Sequence, residues 1–168
     1  LDEAKKVVDS WRSAYQEIVA GWRQCQTALK YARGGHEFAI DPWGMCVTYK
    51  DGIQTPKGFI HYPDLRQKSV ENGERMAWVC GEGRNLTFLS GGKVDENLVQ
   101  HLARHVISDA MLEMRRLTGK SPCLSVHDEL IYVVDEDEAQ ETLDTLQGIM
   151  RTPPVWWPEL VTWSEGDV

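Results

Sequence analysis

The sequence predicts an α+β fold, an antiparallel β-sheet with long helices packed against it. Three observations carry that reading. Apolar residues recur at helical spacing over Leu1 to about Arg33 and over about Asp95 to Leu117. Between these stretches lie short runs rich in Val, Ile, Phe and Tyr, broken by Gly and Pro. After the second helix, two apolar arms, Leu124 to Val126 and Leu130 to Val134, flank the polar triplet His127, Asp128 and Glu129. That is the pattern of a tight hairpin with buried strands and an acidic tip.

The first helix carries its stripe on Val7, Val8, Trp11, Tyr15, Ile18, Val19, Trp22, Cys25 and Leu29, read as core, and Gly34-Gly35 ends it. Phe38 to Ile40, Met45 to Tyr49 and Phe59 to Tyr62 are strand candidates, with Asp51-Gly52 as a hairpin turn. Polar Gln67 to Glu74 reads as loop. Met76 to Cys80 and Leu86 to Leu89 read as a strand pair around Gly81-Glu82-Gly83. The second helix has a face of Leu98, Leu102, Val106, Ala110, Met114 and Leu117, with Val99, Ala103 and Ile107 widening it. Asp95 and Glu96 suit its N-terminal end, Arg115 and Arg116 its C-terminal end, and Gly119 stops it. Asp135 is placed to cap a third helix, with Glu138 completing a capping box and Ala139, Leu143, Leu146 and Met150 as its buried face. Pro153-Pro154 ends it, and Leu160 to Trp163 reads as a last strand beside the hairpin.

The length of 168 residues fits one domain or a large piece of one, with roughly two-thirds of its surface buried on folding. No apolar run is long enough to span a bilayer and no signal peptide is visible, so no membrane partner is expected. The chain opens at Leu1 inside a helical pattern and stops at Gly166-Asp167-Val168, so a piece of a longer protein is expected. Four scattered cysteines, Cys25, Cys46, Cys80 and Cys123, form no CxxC pair. This argues against structural zinc and for free thiols in a reducing cytoplasm. The net charge of −8 argues against a self-sufficient nucleic-acid binder, unless basic surfaces lie in other parts of the protein.

A carboxylate at the hairpin tip is rigid, exposed and poorly neutralised, as a ligand of a divalent metal should be. The same pattern also describes an ordinary turn facing water. The acidic run Asp135 to Glu138 reads as helix-start chemistry. His101 and His105 have a spacing that can hold zinc, but without the intervening Glu of a metalloprotease motif they read as two ordinary helix histidines. Gln100 stands at the first turn of the second helix, off its most apolar stripe. If that helix packs beside the hairpin, Gln100 projects near Asp128. An amide there can donate to the acceptors that every base pair presents in the minor groove, or it can simply face solvent.

The ordered segments ENLVQHLARHVISDAML, LSVHDELIYVV, a helix and PELVTWSEG resemble the C-terminal palm of family A DNA polymerases, the polymerase I lineage, and most of all its phage-type branch. VHDEL is similar to that family's motif C. GGKVDENLVQHLAR resembles the segment running into the palm helix, and VVDSWRSAYQEIVAGW the helix leaving the fingers. TPKGFIHYP is a weaker match to a hairpin that ends in Tyr-Pro. The resemblance covers nearly the whole chain and implies a partial palm of a right-hand polymerase. Residues 1–35 would leave the fingers, 36–94 would form a hairpin-rich insertion, and 95–168 would be the palm core.

The resemblance implies that Asp128 is one of two catalytic aspartates holding Mg²⁺, with Glu129 beside it as a second candidate ligand and His127 flanking the primer 3′ end. It implies Gln100 at the minor groove of the nascent pair. Where bacterial members carry Asn four residues before that Gln, this chain has Glu96, with Asn97 one step round the helix as the nearest DNA contact. Lys57 is the basic residue of the weaker motif, whose expected Arg is replaced by Phe59. Implied partners are primer–template DNA and deoxynucleoside triphosphates. The first metal aspartate and the fingers helix that grips the triphosphate have no match in the chain. The chain is therefore expected to be inactive alone and to work with the missing part, in cis or as a split subunit, in the cytoplasm of a bacterial host. Two other classes compete. One is a metal-dependent phosphohydrolase using His127, Asp128 and Glu129 with Asp109 or Glu113; the other is an interaction module docking through Trp156 and Trp157.

Overall fold

The structure, a computed structural model, describes residues 2–70, 73 and 75–168. Among the described residues it is a mixed α/β fold with four α-helices and three small antiparallel sheets. It divides into two compact units, Leu1–Val99 and Gln100–Val168, and one helix runs through the boundary. The expected single sheet is replaced by separate ladders of three, three and two strands. No helix among the described residues is long and apolar enough to cross a membrane.

In the first unit the long N-terminal stripe forms two helices, α1 (Asp2–Ala14) and α2 (Gln16–Gly34). The break falls at Tyr15, whose φ of −117° and ψ of 56° leave the helical region. Gly35 ends α2 at φ 71°, its amide on Ala32 and that of His36 on Tyr31, so the left-handed residue closes orphan carbonyls. Only part of the stripe is core. Cys25 and Leu29 are buried, Val19 and Trp22 half-buried, and Val7, Val8, Trp11, Tyr15 and Ile18 exposed. Helical periodicity marks an apolar face; it does not say whether another element covers it.

The first sheet has the order β1-β2-β3, from Val47–Tyr49, Gly52–Thr55 and Gly58–His61. Tyr49 pairs with Gly52, so the turn is Lys50-Asp51, one residue before the expected Asp51-Gly52. Phe38 to Ile40 is not a strand and contributes one bridge, Ala39 to Val47. Asp41 organises the approach to β1 by accepting from the amides of Trp43, Met45 and Cys46. The second sheet has the order β4-β5-β6, from Arg66–Val70, Arg75–Cys80 and Thr87–Leu89. β4 occupies the front of the stretch expected as loop, Gln67 to Glu74; Glu71, Asn72 and Glu74 lie outside the described residues. Its side chains are mostly exposed, so it has no apolar alternation to read, and its backbone ladder to β5 supplies the order.

Helix α3 spans Gly91–Thr118 and begins before the expected Asp95. Its start is set by packing. A Cβ at Gly91 would collide with the Trp22 carbonyl oxygen, so the backbones of α2 and α3 meet as only glycine permits. The Gly91 amide donates to Gln26 Oε1 at 2.8 Å, and Trp22 Nε1 donates to Asp95 Oδ2 at 3.2 Å. Leu29, Ile53, Leu65, Val79 and Val94 form the centre of this unit's core.

In the second unit α3 buries Ile107, Ala110 and Met114, and Gly119 closes it with its amide on Arg115. The buried residues all belong to the expected face, while Leu102 and Val106 are half-buried and Val99, Ala103 and Leu117 are exposed. The hairpin β7 (Leu124–Val126) and β8 (Glu129–Ile131) follows. A 3-10 turn at Glu136–Glu138 leads into α4 (Ala139–Met150). Asp135 precedes that turn but makes no side-chain cap. Leu146 and Thr142 are the buried residues of α4, while Ala139, Leu143 and Met150 are half-buried. Leu160 to Trp163 is not a strand. Side chains hold this tail instead: Arg151 donates to the Ser164 carbonyl at 2.7 Å and lies over the Trp163 ring at 4.8 Å.

Candidate catalytic hairpin

Val126 pairs with Glu129, so His127 and Asp128 form a two-residue turn, with Glu129 opening β8. His127 takes φ 51°, a left-handed conformation that His tolerates better than branched residues do. Cys123 extends the ladder, its amide donating to the Ile131 carbonyl at 2.9 Å. His127, Asp128 and Glu129 are all exposed. Among the described residues no donor reaches the carboxylate of Asp128 or Glu129.

The arms of this hairpin are not buried as the sequence pattern implied. Leu124 is 51% exposed, Val126 39% and Ile131 44%. These three share one face, since Leu124 pairs with Ile131 and Val126 lies two residues on. The opposite face holds the cross-strand pair Ser125 and Leu130, both half-buried.

Two arginines on α3 reach this face and the segment leading into it. Arg104 Nη1 donates to Ser125 Oγ at 3.1 Å, and Arg115 Nη1 donates to Ser121 Oγ at 3.0 Å. As the chain advances from Ser121 to Ser125, its partners step back from Arg115 to Arg104. The strand therefore runs antiparallel to α3, and its turn is directed toward the N-terminal part of this helix. Gln100 lies on the same ridge as Arg104, about one helical turn or 5–6 Å nearer that end. It is exposed. No residue spacing announced these Arg–Ser bonds; the only trace in the sequence is the four-residue step from Gln100 to Arg104.

Asn97 and Lys57 belong to the first unit. Asn97 is half-buried and donates to the Tyr62 hydroxyl at 3.4 Å, and Lys57 is exposed at the turn between β2 and β3. His101 and His105 approach each other on α3, Nε2 to Nε2 at 3.1 Å. Burial, then the neighbouring His105, holds the His101 pKa below its ordinary value.

The acids proposed to assist a phosphohydrolase are engaged elsewhere. Asp109 accepts from Trp156 Nε1 at 2.9 Å. Glu113 takes both nitrogens of the Arg116 fork, at 2.8 and 2.7 Å, which holds its carboxyl below the usual range. Among the described residues no group of three or more His, Cys, Asp or Glu side chains is placed to hold a metal. Trp156 and Trp157 are half-buried, so the first fixes the tail to α3 more than it offers a docking face.

Compared with known proteins, the chain is similar to a protein named DNA polymerase from Bacillus phage SP02, with 28% identity over 177 aligned residues. The match takes in 99% of this chain and 26% of that protein, so the chain spans about a quarter of the relative's length. The likeness supports a relationship to phage DNA polymerases. No protein-family model matches the chain. No solved structure matches it.

Proposed function

We propose that the chain is the C-terminal palm part of a family A DNA polymerase, with the β7–β8 turn as its motif C. The observation that carries the reading is Asp128: an unneutralised carboxylate on a two-residue turn, on a hairpin that two arginines fasten to the helix bearing Gln100. The likeness to a phage DNA polymerase along nearly the whole chain supports the same reading.

The donor set suits a hard ion such as Mg²⁺, because Asp128 and Glu129 offer exposed carboxylate oxygens and no soft ligand. It suits one wall of the site. Adjacent residues at a strand start point apart, and no third donor converges among the described residues. A further carboxylate from another segment, in cis or on a separate subunit, completes the proposed centre. When bound, divalent ions supply the charge neutralisation that phosphoryl transfer requires.

The chain's own residues have separate tasks. Asp128 holds ions, with Glu129 beside it, and His127 flanks the primer 3′ end. Gln100 donates its amide hydrogens to minor-groove acceptors of the terminal pair, so it checks shape without reading sequence. Asn97 and Lys57 contact DNA. The substrates are primer–template DNA and deoxynucleoside triphosphates, and the setting is the cytoplasm of a bacterial host.

Primer extension by the complete polymerase tests the reading. Asp128→Ala is expected to abolish incorporation while leaving DNA binding largely intact, and retained incorporation rejects the metal role. Gln100→Ala is expected to weaken primer-terminus binding or fidelity; no change in either removes Gln100 from the site.

A further inference from the structure

We propose that His101 and His105 form a two-histidine site on α3 for a borderline-soft divalent ion of the Zn²⁺, Ni²⁺ and Cu²⁺ class. The site is separate in chemistry from the hard-ion position at Asp128, and it stands whether or not the polymerase reading does.

Residues four apart on a helix lie one above the other on one face. Here both rings turn the same nitrogen inward, with Nε2 to Nε2 at 3.1 Å and ring planes at 78°. Two imidazole nitrogens bonded to one ion at about 2.0–2.1 Å, with an angle between a right angle and tetrahedral, stand about 2.9–3.4 Å apart. The pair already has that separation. Its two side chains share one rigid helix, so binding orders little else.

Without the ion, one ring donates its Nε2 hydrogen to the other. On binding, the donor ring gives up that hydrogen and carries one at Nδ1 instead. Both Nε2 lone pairs then face the ion and the number of bound protons is unchanged. Imidazole selects this class of ion, whereas exposed carboxylates select Mg²⁺. Water fills the other coordination positions.

Untagged protein is titrated with Zn²⁺ in a large excess of Mg²⁺, which occupies carboxylate sites. Binding is followed by calorimetry and by the ring ¹⁵N resonances of the histidines. The expected result is one saturable site, with the Nε2 signals of both His101 and His105 shifted. Affinity is expected to fall at least fivefold in His105→Gln and in His101→Ala/His105→Ala, with helix content checked by circular dichroism. Cys123→Ser, which removes the exposed thiol, is expected to leave the site intact. Absence of saturable binding overturns the proposal. So does a double variant that loses less than fivefold, or a wild-type titration that leaves the two Nε2 resonances in place.

Discussion

Two hairpins in this chain turn through similar residue pairs and end in opposite circumstances. β1–β2 turns through Lys50-Asp51 and β7–β8 through His127-Asp128. Each places one non-glycine residue in the left-handed region, Asp51 at φ 55° and His127 at φ 51°. The first turn is tied into its unit: the Asp51 amide donates to Ala32 at the end of α2, and its carbonyl accepts from Tyr62 at 2.7 Å. Its strands carry Thr48 and Ile53, both fully buried. The second turn leaves its acid unbonded, its strands carry exposed Leu124, Val126 and Ile131, and side-chain bonds from arginines hold it. Local turn chemistry makes a hairpin; the surroundings decide whether the backbone of its turn is tied into a unit or left exposed at a tip.

The largest separation between the two turns is expected in catalysis. If Asp128 holds an ion as proposed, Asp128→Ala is expected to lower incorporation by the complete polymerase about a thousandfold or more, the loss of several kcal/mol of transition-state stabilisation. Asp51→Ala is expected to leave incorporation by the folded protein unchanged and to cost about 1 kcal/mol of stability, because alanine is strained at positive φ. Equal losses in primer extension would erase the functional distinction. The strands give the next contrast. Ile53→Ala is expected to cost about 2–5 kcal/mol in denaturant unfolding, whereas Ile131→Ala, at a half-exposed site, is expected to cost less than about 1 kcal/mol.

A third contrast lies in the thiols near each hairpin. Cys46, beside β1, is pushed up to about 12 by burial and then by Asp41, and Cys25 to about 12 by burial and then by Asp95, from an ordinary 9.0. Above pH 9.0 the unfolded chain releases these protons while the folded chain keeps them until about 12. Stability is therefore expected to be unaffected by these groups below that window and to fall as pH rises through it. Exposed Cys123, beside β7, is expected to be alkylated first in the native protein, and simultaneous labelling of Cys46 would contradict the buried environment. The smallest effect is expected at Arg104→Ala, about 0.5–1 kcal/mol for an exposed hydrogen bond. Faster hydrogen exchange at the amides of β7, partly restored by Arg104→Lys, is the sensitive readout; no change would show that Arg104 does not fasten the hairpin.

Much of the architecture was readable because it is periodic or punctuated. The stop at Gly35, the α3 stripe through Ala110 and Met114, and the turn holding Asp128 all follow from residue type and spacing. β4 was hidden because its residues are polar and its order comes from backbone bonds to β5. Leu160 to Trp163 misled for the converse reason: it is rich in strand-forming residues but meets no partner ladder. The acid at the candidate site was visible as a motif, while the arginines that fasten its hairpin were not.

The sequence alone determined where α2 and α3 stop, where hairpins turn to within a residue and which acid sits at a tip, because these depend on backbone conformational preference over a few residues. Tertiary structure decided which apolar faces are covered, why α3 starts at Gly91, and which way the Asp128 turn is directed along α3. Those outcomes depend on contacts between residues far apart in the chain. The Gly91 approach to Trp22 and the Arg104–Ser125 bond exist only once the partner segments have met.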